Sequence, residues 1–168
     1  MNKKSRKKSK STITIVNQFF PPDFAATGQL LNELSKKLSK NGIKINIITG
    51  MPSYASNEKK SPRKEIFKNR LILRSKLLIY WPKKLYGRLF RSIIFFLSAG
   101  TKLLKKKVRG DLIILTSEPP FLPILGWLIS KIINTPYILI IYDLYPDILV
   151  NLKFLKKNNL IIKLWKKN

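Results

Sequence analysis

Residues 13–49 read ITIVNQFFPPDFAATGQLLNELSKKLSKNGIKINIIT, and the order of features in this stretch sets the fold class. The apolar residues from Ile13 onward lead to a buried strand over Ile13 to Gln18. Pro21 and Pro22 end it, because proline cannot donate to a sheet ladder. Gln29 to Asn41 then has a helical repeat. Leu30, Leu31, Leu34 and Leu38 share a face, and Lys36, Lys37 and Lys40 lie opposite. Gly42 supplies a C-terminal stop. Ile43 to Thr49, rich in β-branched residues, reads as a second strand closed by Gly50 and Pro52. Strand, helix, strand in this order is the unit of a parallel sheet.

The alternation continues outward from this unit. Residues 53 to 65 read as a polar loop and Arg70 to Ile79 as a third strand. Lys84 to Val108 reads as one long amphipathic helix. Asp111 to Thr116 is a fourth strand, ended by Ser117-Glu118-Pro119-Pro120. Phe121 to Ile133 is an apolar helix, and Tyr137 to Tyr142 a fifth strand. The strands around Val16, Leu115 and Ile140 are nearly continuous apolar runs, as expected when both faces of a parallel sheet are covered. The expected fold is therefore α/β: a single doubly wound parallel sheet with right-handed crossovers, spanning residues 12–158. Residues 1–11 form a basic tail expected to be disordered, and residues 159–168 begin a further helix.

Composition narrows the chemistry. The chain has 168 residues, 45% of them hydrophobic, which suits one domain with a real core. It contains no cysteine and no histidine. Disulfides, thiolate metal sites and the usual neutral-pH general base are thereby excluded. No metal site and no cofactor is expected. There are 34 Lys and Arg against 8 Asp and Glu, a formal charge of +26. Nucleic acid, an anionic membrane surface and a phosphorylated ligand would all be attracted to such a chain. A solvated lysine coat accounts for the charge equally well. No segment reads as a signal peptide, and Leu89 to Leu104, the most apolar candidate, is shorter than the roughly 20 residues a membrane span requires.

In a doubly wound sheet, ligands sit beyond the carboxyl ends of the strands, where the winding reverses. Four of the eight acids fall at that edge: Asp23 after the first strand, Glu118 after the fourth, Asp143 and Asp147 after the fifth. Taken singly, Asp23 reads equally well as a turn residue, and Asp143 and Asp147 as helix caps. Their clustering is what points to a polar site. Gly28 opens the first helix, with Thr27 as its expected N-cap. A helix N-terminus attracts phosphate, and a residue without a side chain lets an anion approach the backbone. A side chain at Gly28 is expected to block such a ligand while leaving the domain folded. A glycine needed only for the turn is the competing reading.

The segments FFPPDFAATGQLLNELSKKLSKNGIKINIITGMPSY, GDLIILTSEPPFLPILGWL and YILIIYDLYPDILV, in this order and spacing, resemble the N-terminal domain of family-4 glycosyltransferases of the GT-B fold. The resemblance covers roughly residues 12 to 168. It implies a Rossmann-like domain facing a cleft, and retaining transfer of a sugar from a nucleotide-sugar co-substrate without a bound metal. Asp23, Thr27 and Gly28 would face the donor diphosphate and sugar. Glu118 and Asp143 would be the catalytic carboxylates, and Tyr142, Tyr145 and Asp147 would line the acceptor side. The acceptor would be a lipid-linked or simple saccharide in cell-surface glycan synthesis. The leaving diphosphate can take the acceptor's proton in such a mechanism, which agrees with a chain lacking histidine. The family binds its nucleotide mainly through a second, C-terminal domain with a Glu-x7-Glu motif, which does not occur here. The chain is therefore expected to be the N-terminal half of an enzyme, as a fragment, a truncated product or one of two separate halves, and inactive alone.

Two other readings belong to different classes. Lys105, Lys106, Lys107 and Arg109 close the long helix, and a basic amphipathic helix can lie on an anionic membrane. A cytoplasmic protein, peripheral at the inner face of the plasma membrane, is the corresponding expectation, either as the enzyme itself or as a non-catalytic anchoring subunit. A core helix with a solvated lysine face is the plainer alternative. A nucleic-acid-binding module is favoured by charge but not by patterning, because no helix-turn-helix, zinc-finger or RNP signature is present. Specific nucleic-acid recognition is not expected.

Overall fold

A computed structural model describes residues 11–52, 61–75 and 85–142. Expectations for the basic tail, for Asp143, Tyr145 and Asp147, and for the helix beginning at Asn159 lie outside the described residues.

Six strands form one sheet, β1 (Thr12–Val16), β2 (Lys44–Thr49), β3 (Lys64–Phe67), β4 (Arg70–Arg74), β5 (Leu112–Thr116) and β6 (Tyr137–Ile140), in the order β3-β4-β2-β1-β5-β6. All pairings are parallel except the β3–β4 hairpin at one edge. Helix α1 (Ala26–Lys40) covers one face. Helices α2 (Leu85–Leu103), α3 (Lys106–Arg109) and α4 (Leu122–Ile133) follow β4 and β5, and α2 and α4 build the core on the other face. The fold class expected from the sequence is thus the one observed: a Rossmann-like α/β domain with helices on both faces of a mostly parallel sheet.

Alternation along each strand makes the two cores. Ile15, Ile45, Ile47, Ile72 and Ile114 point toward α1 and pack on Leu31 and Phe20. Val16, Ile48, Ile113 and Leu115 point the other way, onto Phe95, Ala99 and Leu103 of α2 and Leu122, Leu125 and Ile129 of α4. The winding reverses between β1 and β5, so the crevice expected for a ligand opens beyond Val16 and Thr116.

Three elements differ from the sequence reading. Residues 64–67 pair as an edge strand instead of continuing a polar loop. The turn that makes this possible is Lys68-Asn69, with Lys68 at φ 50°. The long helix breaks after Leu103. The Arg109 guanidinium folds back onto the carbonyls of Leu103 and Leu104, at 3.2 and 3.3 Å, and takes the acceptors that a continuing helix would have used. The Val108 carbonyl is held by Asn46 Nδ2 at 2.8 Å and by the Thr14 hydroxyl, both buried side chains of the sheet. Strand β6 is not covered on both faces by the described residues. It is an edge, and Ile138 is 49% exposed.

Candidate functional site

The carboxyl ends of β2, β1, β5 and β6 carry a belt of buried polar side chains. Asn17, the first residue beyond β1, donates its backbone N–H to Ile48 O at 3.1 Å. Its Oδ1 accepts from the Thr116 hydroxyl at 2.9 Å, which ties β1 to β5 at the point where the winding reverses. Its Nδ2 donates to Phe19 O. Gln18 O accepts from the Thr49 hydroxyl (3.1 Å) and from Gly50 N–H (2.9 Å), and Gln18 Oε1 accepts from Ser92 of α2 at 3.0 Å. Ser117 Oγ accepts from the backbone N–H of Tyr142 at 3.0 Å. Polar groups buried this way are hydrogen-bonded because an orphan would destabilise the fold by a few kcal/mol, about 1–3. Here the bonds also fix the loops on which the candidate residues stand.

Two of the predicted carboxylates come from loops that follow adjacent strands. Asp23 is 2% exposed in the β1–α1 loop, with its backbone N–H on Phe20 O at 3.2 Å. Glu118 is half-buried in the β5–α4 loop. Both loops contain a cis X-Pro peptide, Pro21-Pro22 and Glu118-Pro119. Tyr142 is 37% exposed, and burial of its phenol raises the pKa above the ordinary tyrosine value.

Helix α1 begins differently from the sequence reading. Its N-cap is Ala25, not Thr27, and Ala25 makes no side-chain cap bond. Its first turn holds no acid, and the first intrahelical bond is Gln29 N–H to Ala25 O at 3.1 Å. The positive end of α1 faces the carboxyl edge of the sheet, with the buried Asp23 two residues before its N-cap. Thr27 instead lies in the first turn, where its hydroxyl is buried and has no hydrogen-bond partner.

Gly28 is buried, and its neighbours explain why. A Cβ there would stand 2.8 Å from Phe19 O, 3.0 Å from Phe19 C and 3.2 Å from Phe20 Cα. These are backbone atoms of the loop leaving β1. The glycine is therefore required for α1 to pack against that loop, and a side chain would displace the loop itself. This contact weighs against the expectation that a larger residue at Gly28 leaves the domain undisturbed.

Arg74 and Glu65 were missed by the sequence reading. Arg74, 4% exposed at the end of β4, donates Nη2 to Glu65 Oε1 at 2.6 Å and to Pro21 O at 2.9 Å, and Nε to Glu65 Oε1 at 3.1 Å. Its Nη1 is buried without a partner. Glu65, assigned to a loop by its sequence context, belongs to β3. The pair anchors the β1–α1 loop to the far edge of the sheet. The signal available was the period-2 run Arg70, Ile72, Arg74, which places both arginines on the α1 face; Arg70 reaches Asn32 and Ser35 of α1 at 2.9 and 3.0 Å.

The cations at the end of α2 divide into two kinds. Lys105, Lys106 and Lys107 are exposed, whereas Arg109 is 8% exposed and used internally, so it does not extend their surface. Among the described residues no three His, Cys, Asp or Glu side chains are placed to hold a metal ion.

Fold and site geometry together define a Rossmann-like domain with a GT-B-like fold. A solved structure that carries this likeness is the sucrose-phosphate synthase of Thermosynechococcus elongatus, with a TM-score of 0.61 and 13% sequence identity. The match covers 88% of this chain and 36% of that one, so the chain spans about a third of the length of the protein it resembles. At this identity the likeness is one of fold. No protein-family model matches the chain, and no curated protein matches it by sequence.

Proposed function

We propose that the chain is the acceptor-side half of a retaining, family-4-like glycosyltransferase, working with a second domain that binds most of the nucleotide-sugar. The observation that carries this reading is the arrangement at the switch point. The N-terminus of α1, whose first turn holds no acid, and the orphan hydroxyl of Thr27 stand beside the loop bearing Asp23, one strand away from the loop bearing Glu118. A helix N-terminus suits a diphosphate. Carboxylates from the neighbouring loops suit the polar sugar and acceptor. Glu118 and Asp143 are proposed as the catalytic carboxylates, and Tyr142, Tyr145 and Asp147 as acceptor contacts. The acceptor is proposed to be a lipid-linked or simple saccharide.

The test is a transfer assay with a GT-B donor-binding domain supplied in fusion or in trans, against a panel of nucleotide-sugars. Glu118→Gln and Asp143→Asn should each lower turnover about a hundredfold, the usual scale for a positioned acid or base, with nucleotide affinity largely kept. Glu33→Gln is the control. Glu33 lies on the exposed face of α1, paired with Lys36 at 2.6 Å. Equal turnover in all three variants, or no transfer from any donor, would contradict the reading.

A further inference from the structure

Helices α2 and α4 lie side by side on the same face of the sheet. Phe96 meets Phe121 edge to face, with ring centroids 5.6 Å apart, and a Cβ on Gly100 would stand 3.4 Å from Leu125. Their inner sides are the core already described. Their outer sides are not the lysine-bearing surface that the plainer sequence reading expects. Along α2, Leu89, Ile93 and Leu97 are 52, 40 and 60% exposed, and Leu104, just past its end, is 58% exposed. The spacing of four residues sets Leu89, Ile93 and Leu97 in one stripe. On α4, Ile124 and Trp127 are each 52% exposed. By contrast, the outer face of α1 carries Glu33, Lys36, Lys37 and Lys40. An apolar stripe spread over two neighbouring helices is uncommon on a solvated surface.

Charge says what would cover it. No Asp or Glu occurs in residues 85–109 or 122–133. Exposed cations stand at the ends of the stripe, Lys105, Lys106 and Lys107 after Leu104 and Lys131 after Trp127 on α4, while Arg91 and Lys102 within α2 are half-buried. A self-association surface would bring these lysines together on two copies, which repels. An anionic lipid surface meets all three features, with acyl chains for the stripe, headgroup phosphates for the lysines, and the interfacial layer for the tryptophan. None of the described helices is long and apolar enough to cross a membrane. We infer that the outer face of α2 and α4 is a membrane-docking surface that lies flat in the headgroup region of an anionic bilayer. This differs from the lysine patch suggested by sequence alone, since it omits the buried Arg109 and adds the leucine stripe and α4. It does not depend on sugar transfer.

Sedimentation of the full chain with vesicles tests it. The chain should bind phosphatidylglycerol-containing vesicles and not pure phosphatidylcholine at ~0.1 M salt. Ile93→Ser with Leu97→Ser should lower the partition coefficient roughly tenfold or more, because each exposed aliphatic side chain loses its burial. Replacing Lys105, Lys106 and Lys107 with Gln should lower it by a similar factor. Trp127 emission should shift to the blue on vesicles, and the shift should vanish in Trp127→Phe, a control needed because the chain has three tryptophans. These positions are exposed, so thermal unfolding should report folded variants. Failure of the parent to bind, or binding that the serine variant leaves unchanged, would overturn the inference. So would a lipid-free dimer that the serine variant dissociates, because the stripe would then be covered by a second copy.

Discussion

Gly28 shows how one residue can invite two explanations. From sequence it is a glycine at a helix start, open to a phosphate. In the structure it is a point of contact between α1 and the loop after β1, with Phe19 O 2.8 Å from where a Cβ would be. Overpacking against backbone is destabilising by about 1–3 kcal/mol, so Gly28→Ala should lower stability by that much and Gly28→Val by more, read by urea unfolding. A neutral Gly28→Ala would show that the loop yields freely. The Arg74–Glu65 pair has side chains only 2 and 21% exposed, so Glu65→Gln leaves a buried guanidinium uncompensated and should destabilise by about 3 kcal/mol. Replacing both residues with Met should cost less than Glu65→Gln alone. Lys102 has a lowered pKa. Partial burial, and then the nearby Lys105, hold its ammonium below the ordinary value of 10.5. Between its folded pKa and 10.5 the unfolded chain binds more protons, so this residue's contribution to stability rises with pH. The stability of Lys102→Met relative to the parent should therefore fall as pH climbs from neutral toward 10.5. A relative stability that climbs instead would contradict the assignment.

At the scale of elements, what was legible followed from local pattern. The β1–α1–β2 unit, β5 and α4 have strong periodicity and clear punctuation, and each was placed within a few residues of its observed bounds. The helix break after Leu103 was not legible, because its causes are distant in sequence. Thr14 and Asn46 read as ordinary strand residues, yet their side chains hold the Val108 carbonyl across 94 and 62 residues. Asn46→Ala should thus destabilise by about 1–2 kcal/mol while exposing α3 amides to hydrogen exchange before those of α2. Simultaneous exchange of the two helices would argue against a separately anchored α3. Strand β3 was hidden by its charged Lys64 and Glu65, since charged residues on an edge strand guard against unwanted pairing and resemble a loop in composition. The candidate site was half legible. The rule that ligands gather at strand carboxyl ends located Asp23 and Glu118. Arg74 escaped because nothing in a sequence says which strand ends a distant loop crosses.

For the whole molecule, the charge of +26 predicts less than its size suggests. Among the described residues the cations are spread over the helices on both faces of the sheet and the β3–β4 edge, and no described element has the form of a base-reading device. Binding to DNA should be weak, independent of sequence and lost at moderate salt. Salt-tolerant binding to one sequence would overturn the sugar-transfer reading. We propose that the carboxyl edge at the β1–β5 switch point holds the diphosphate-sugar of a donor whose nucleotide a second domain binds. Amide chemical shifts of the isotope-labelled chain, followed during titration with a panel of nucleotide-sugars in the presence of an unlabelled donor-binding domain at about 0.2 M salt to screen the surface lysines, test this most directly. One or more donors should perturb mainly the amides of residues 17–29 and 116–118. Shifts confined to the lysine-bearing faces, or absent across the panel, would contradict it.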